Sequence, residues 1–256
     1  MKMKKSWLVA IAVGTLCGSL QAEVSPEAAK EISHRITYGF GTGTQKQGEF
    51  AEDTTYSGIY VRYHLASVNA FNLQANFDGT TGTVKLKNNA GNMSSAIGEL
   101  ELLGGYNFAT PVPHLTVAPM GGLYIWSESN RGKTANDIVE VDVDAKFNAY
   151  MIGALATYQV LPQLELGLAA KIAFARNAEK EETYKILGVS TPTKTDYENL
   201  TYYKMELPVS YTFIPSFGAF AMYEQTFGRK FTAQTKGADD ADLNAWKFRI
   251  GLLHRF

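Results

Sequence analysis

The chain has 256 residues, with 24 Lys and Arg against 25 Asp and Glu and a formal net charge of −1. That balance holds no basic excess for nucleic acid. A single cysteine, Cys17, leaves no disulfide framework and no Cys-based metal centre, and outside the N-terminal apolar stretch nothing approaches the roughly 18 apolar residues of a membrane helix.

In chain order, Lys2, Lys4 and Lys5 precede an apolar stretch from Trp7 to Leu16, and Ser19-Leu20-Gln21-Ala22 supplies small residues for cleavage. This is the pattern of a secretory signal over residues 1–22. Cys17 leaves with it, and the bulky Leu16 before it does not suit lipoprotein processing. Removing the segment takes three lysines and no acid, so 21 basic and 25 acidic side chains remain, a net charge of −4. Residues 23–34 read as a short periplasmic arm that either enters the interior of the adjoining fold or hangs free.

From residue 35 to 256 the dominant signal is alternation with period two. Ile59, Val61, Tyr63 and Leu65 share one face; Tyr60, Arg62 and His64 share the other. Phe71, Leu73, Ala75 and Phe77 oppose Asn72, Gln74 and Asn76. Tyr203, Met205, Leu207, Val209 and Tyr211 oppose Lys204, Glu206 and Ser210. Trp246, Phe248, Ile250 and Leu252 oppose Lys247 and Arg249. A helix does not give this pattern. Ten strands are expected, near 35–42, 56–65, 69–77, 96–108, 115–126, 146–159, 164–176, 202–213, 217–227 and 243–256. Pro119 and Pro208 fall inside two of them and are expected at bulges; if they end strands instead, the count falls to eight.

The connections decide between a sandwich and a membrane barrel. Short ones near 66–69, 109–114, 161–163 and 214–216 alternate with long polar ones near 43–54, 78–95, 127–145, 177–200 and 228–242. Short periplasmic turns and long outer loops characterise an all-β, antiparallel transmembrane barrel. An even strand count then puts both termini on the periplasmic side. Aromatic residues are 12% of the chain, and Tyr and Phe far outnumber Trp, which suits interfacial girdles.

Nine charged side chains alternate inward: Arg62, Glu99, Glu101, Lys171, Lys204, Glu206, Glu224, Lys247 and Arg249. Their signs are mixed, and a barrel of eight to ten strands has little interior space. They are expected to form a salt-bridged plug; the alternative is a small polar pore. The acidic run Glu140-Val141-Asp142-Val143-Asp144 places its carboxylates along one face with no Gly turn, so it reads as a solvated ledge rather than a cation loop. Glu179-Lys180-Glu181-Glu182 likewise reads as a solvated face. No metal site, cofactor or catalytic residue is expected.

The chain ends Arg249-Ile250-Gly251-Leu252-Leu253-His254-Arg255-Phe256. This segment resembles the C-terminal assembly signal of bacterial outer-membrane β-barrel proteins, the small OmpA/OmpX-like or porin-like barrels. Arg249, Gly251 and Phe256 match; His254 stands where that family usually has an aromatic residue or Leu. The resemblance implies export, periplasmic chaperones, insertion by the barrel assembly machinery, and contact with outer-membrane lipids and lipopolysaccharide. It implies no activity, because function sits in sites grafted on folds. Enzymes in this family place acidic and His residues, or Ser and His, on or near the outer face. All four histidines here, His34, His64, His114 and His254, fall at the periplasmic end of the expected topology. The leading expectation is a structural or surface-interaction, adhesin-like barrel working through its outer loops toward an unidentified surface ligand. A narrow channel is the alternative, and a surface enzyme ranks last.

Overall fold

The structure, a computed structural model, describes residues 33–47, 51–66, 70–87, 90–134, 139–186, 189–234 and 241–256. The expected signal and most of the arm lie outside these residues. Ten barrel strands succeed one another: β1 (Ser33–Gln45), β2 (Thr54–Ala66), β3 (Phe71–Lys85), β4 (Gly91–Tyr106), β5 (Leu115–Thr134), β6 (Val139–Leu161), β7 (Leu164–Ile186), β8 (Leu200–Ile214), β9 (Phe217–Phe227) and β10 (Ala245–Arg255). Each pairs antiparallel with its neighbours in sequence, and β10 pairs with β1 to close the barrel. Among the described residues no helix is long and apolar enough to cross a membrane.

Tracing backbone partners once around the wall from Ser33 leads back to β1 at Gln45, twelve residues further along. This stagger and the strand number together require tilted strands, typically by about 35–45°. Closure also leaves no free edge along the barrel wall, the condition for strands in hydrocarbon.

The alternation sorts side chains as expected. Phe40, Ile59, Ile152, Tyr203 and Ile250 project from the outer wall, while Tyr60, Glu101, Lys171, Glu206 and Arg249 are buried inside. Tyr150, Tyr203, Phe227 and Trp246 lie toward the loop end, and Phe71, Tyr106, Phe213 and Phe217 toward the turn end. These aromatics bracket an apolar belt, the geometry of interfacial girdles.

Three expectations change in detail. First, much of the expected outer loops is strand. Pairing of β5 with β6 runs to Lys133↔Glu140, and of β6 with β7 to Val139↔Ile186. A further strand, Val189–Asp196, returns along the tip of β7. Second, the two prolines occupy gaps in a ladder, not bulges. Around Pro119, pairing stops at Gly105↔Met120 and resumes at Phe108↔Val117 in the same register. Around Pro208 it stops at Glu206↔Ala169 and resumes at Val209↔Leu166. Proline lacks the N–H that the ladder needs, and each proline keeps a register partner on its other side, Ala154 and Met222. Gly167 makes room for the second: a Cβ there would lie 2.6 Å from Pro208 Cγ. Third, the barrel already begins at Ser33, within the expected arm.

The acidic ledge is an ion-paired outer face. Asp142 meets Lys185 at 3.3 Å, and Glu140 meets Lys133 at 3.7 Å. Val141, between them, turns inward and packs with Ala51, Val84 and Met93.

Candidate functional site: the barrel lumen

All nine expected inward charges are buried, and seven of them form one connected network, with Lys247 and Glu99 as a separate pair beside it. Arg62 Nη2 donates to Glu206 Oε2 at 2.8 Å. Lys171 Nζ bridges Glu101 and Glu206 at 2.6 and 2.5 Å. Lys204 Nζ reaches Glu224 at 3.1 Å and Glu101 at 3.4 Å. Arg249 Nη1 donates to Glu224 Oε2 at 3.1 Å, and Lys247 Nζ donates to Glu99 Oε1 at 2.6 Å.

A tenth member, not expected, joins the two parts. Asp78 accepts from Arg249 Nε at 3.0 Å and from Lys247 Nζ at 3.2 Å. With Asp78 included, five carboxylates face five cations, so the buried layer is neutral as a whole. Its signal was present: on β3 the inward set Asn72, Gln74, Asn76 continues to Asp78 and Thr80 with unbroken parity. Neutral groups complete the layer. Asn76 accepts from Arg62 Nε and donates to Glu101. The Tyr60 ring lies under both Arg249 and Arg62, with ring-to-guanidinium distances of 4.8 and 5.7 Å, and stacks on Phe220.

A second layer lies toward the loop end. Trp126 stacks on Phe147 with centroids 5.1 Å apart, and Phe147 also meets Tyr202 and Phe231. Phe231 belongs to a two-stranded ribbon, Lys230–Phe231 with Ala241–Asp242, in the connection from β9 to β10. From the same connection Arg229 enters the lumen. Its guanidinium lies 5.5 Å from the Trp126 ring, and its Nη2 donates to Gln45 Oε1 at 2.8 Å. Gln45 in turn donates to Glu128, which also accepts from Tyr56, Gln47 and Asn130. Glu128 and Arg229 were missed because both fall in segments expected to be loops.

The two layers leave little room. Beside the network lie cavities of only about 10 Å³, one lined by Tyr60, Arg62, Glu101 and Lys204 and one by Thr42, Tyr56, Asp78 and Lys247. Each is about the space of a single water.

The expected assembly-signal residues have different surroundings. Arg249 belongs to the network. Gly251 faces Gly39 across the β10–β1 seam, and a Cβ on Gly251 would lie 2.1 Å from Tyr38 O. Here the close approach itself requires glycine. His254 stacks on Phe217 at 4.5 Å, and Phe256, 61% exposed, stacks on His34 at 5.8 Å. His64 contacts Asn72 inside the turn end, and His114 sits in the β4–β5 turn. All four histidines therefore lie at the turn end.

No family model matches the chain, and no curated protein matches it. Solved structures do. The outer-membrane protease OmpT from Escherichia coli is 10% identical over 93% of this chain and 99% of its own, with a TM-score of 0.56. The translocator domain of the autotransporter NalP from Neisseria meningitidis is 11% identical over 98% and 96%, with a TM-score of 0.49. The attachment invasion locus protein Ail of Yersinia pestis is 12% identical over 88% and 99%, with a TM-score of 0.40. At these identities the likeness is one of fold, and the first of the three carries it. The chain has the fold of an outer-membrane β-barrel, with ten antiparallel strands.

Proposed function

We propose that this chain is a closed barrel of the bacterial outer membrane that holds a surface for interaction outside the cell and conducts nothing through its lumen. The observation that carries this reading is the neutral five-against-five ion-pair layer, roofed by Trp126, Phe147, Tyr202 and Phe231. Mixed signs packed in contact also lack the single-sign rings that ion selectivity uses. The working surface on this reading is the ribbon of β5, β6 and β7 beyond the apolar belt, where Tyr184, Ile186 and Val189 are exposed. Export by the N-terminal signal, chaperoned delivery, insertion by the assembly machinery, and a coat of lipid and lipopolysaccharide around the belt belong to the same proposal. So does the absence of catalysis: a general base must lie within about 3 Å of its proton, and every histidine is at the end away from the ribbons. Planar-bilayer recording of the purified protein tests the reading. Silent membranes are expected; steady conductance from the unaltered protein replaces this reading with the narrow channel.

A further inference from the structure

The strand Val189–Asp196 pairs with the tip of β7, and among the described residues no second strand pairs with it. Three backbone hydrogen bonds at its lower end fix which way its residues face. Tyr197 N donates to Ala178 O on β7, whereas Asp196 O accepts from Gln234 N and Glu198 N donates to Thr232 O. In a strand the N–H and C=O of one residue point to the same side, and the side alternates along the chain. Tyr197 therefore turns toward β7, and Asp196 and Glu198 turn away from it. Pairing with β7 runs without a register shift from Glu179↔Asp196 to Ile186↔Val189, so the alternation holds to the tip. Thr191, Thr193 and Thr195 bond β7, while Ser190, Pro192 and Lys194 face the outer edge. Pro192 is exposed in the middle of that edge, and it has no N–H to offer. Its pair with Thr183 on β7 asks for none, which is how the strand accommodates it.

We propose that this edge is a latent pairing surface for a second copy of the chain, and that Pro192 keeps it closed. An exposed strand edge is a ready template for another chain, and this one is complementary to itself. Two copies related by a two-fold axis at Pro192 would run antiparallel, with Ser190 opposite Lys194 and Thr191 opposite Thr193. No like charges meet in that register, and Thr–Thr pairs favour a sheet. The residues at the axis are the obstacle. Each copy would present Pro192 to the other, so both central hydrogen bonds lose their donor and two pyrrolidine rings meet face to face. The surface lies beyond the belt, so its state does not depend on whether the lumen conducts.

Sedimentation of the refolded protein in micelles, with amide exchange followed by NMR, tests the proposal. In the unaltered protein the Thr191, Thr193 and Thr195 amides should exchange at least about ten-fold more slowly than those of Ser190 and Lys194. Pro192→Thr should form a dimer whose share grows with concentration, and in it the Ser190 and Lys194 amides should slow by about ten-fold or more. Pro192→Ala should also pair, more weakly, because the restored N–H and not the β-branched side chain opens the edge. Adding Ser190→Pro to Pro192→Thr should return the monomer, since it removes a donor from the same edge. Pro192→Thr and Pro192→Ala proteins that both stay monomeric at every concentration overturn the proposal. So does a Pro192→Thr dimer that Ser190→Pro leaves intact, or an unaltered protein in which the Ser190 and Lys194 amides are already protected.

Discussion

Arg249 and Asp78 meet across the lumen from β10 and β3, 171 residues apart in sequence, with Arg249 Nε 3.0 Å from Asp78 Oδ2. The contact ties the last strand to the third, through the interior rather than around the wall. Lys247 joins it from the same strand as Arg249, so one carboxylate serves two cations. Removing Asp78 would leave both short of charge in a layer whose cavities have room for almost no water.

Asp78→Asn should therefore destabilise strongly. Breaking a buried pair by removing one partner costs about 3–5 kcal/mol, whereas replacing the pair by apolar residues of similar size is often neutral. Urea unfolding of the refolded protein in micelles should show that loss for Asp78→Asn. Asp78→Leu combined with Arg249→Met should be no worse than the single variant. A single-variant loss under about 1 kcal/mol, the scale of exposed pairs, would mean that the lumen is hydrated.

The same pair marks how far the sequence could be read. Ten strands and nine buried charges were legible because a wall between lipid and a polar interior enforces strict alternation. Asp78 was lost because Asp78-Gly79-Thr80-Thr81-Gly82 has the composition of a turn, yet β3 continues through it to Lys85. The outer ribbons were lost for a related reason. Beyond the belt both faces are wet, as with Glu140, Asp142 and Lys185, so hydrophobic alternation no longer reports a strand. Arg229 and Phe231 enter the lumen from a connection whose local sequence carries no period at all. That placement depends on partners on β5 and β6, which no local pattern encodes.

Sidedness is set by which end carries the turns. Cys17, in the expected signal, is the only cysteine of the sequence, so single replacements beyond it report cleanly. Ser190→Cys and Lys194→Cys, on the exposed strand beside β7, should react with a membrane-impermeant maleimide on intact cells. Pro113→Cys and Pro162→Cys, in the short turns, should react only after the outer membrane is opened. The opposite pattern would invert the barrel.

Phe256 should matter for delivery more than for stability. Its side chain is 61% exposed and stacks only at the rim. Fully burying a Phe is worth only about 1.5–3 kcal/mol, and this one is far from buried. Deleting it should leave the refolded barrel close to normal in urea. In cells the same deletion should divert the protein to periplasmic degradation if, as proposed, the assembly machinery recognises this residue. Normal outer-membrane levels of the deletion would refute the assembly role.

Glu179 gives the outer ribbon a defined acid limit. Hydrogen bonds from Lys146 and Lys194, at 2.6 and 2.7 Å, hold its carboxyl down at about 2. A free Glu titrates near about 4.3. Because the folded value is the lower one, the contribution is complete above the unfolded value and is lost as pH falls from about 4.3 through about 2. The group is solvent-facing, so the global effect is small. Carbon-detected NMR of the Glu179 carboxyl should titrate near pH 2, and Lys194→Ala together with Lys146→Ala should bring the midpoint back toward 4. A midpoint near 4 in the unaltered protein would show that the triad does not persist in solution.

Two seals in series make a sharper demand on conductance than one. The charged layer and the aromatic layer each span the lumen with different chemistry, one from the strands and the other completed by Arg229 and Phe231 from the β9–β10 connection. On the proposed closed-barrel reading ions must pass both, so opening either alone should leave the path closed. Arg229→Ala with Phe231→Ala should lower stability, since truncating a buried Phe costs about 3–5 kcal/mol, yet bilayers should stay silent. Glu206→Ala with Arg62→Ala should behave the same way, because the aromatic roof remains. Only the four substitutions together should give channel events, provided the variant still refolds, as judged by its resistance to detergent at room temperature. Conductance from the Arg229 and Phe231 variant alone would show that the ion-pair layer is permeable, and the barrel would then be a gated channel with this connection as its stopper.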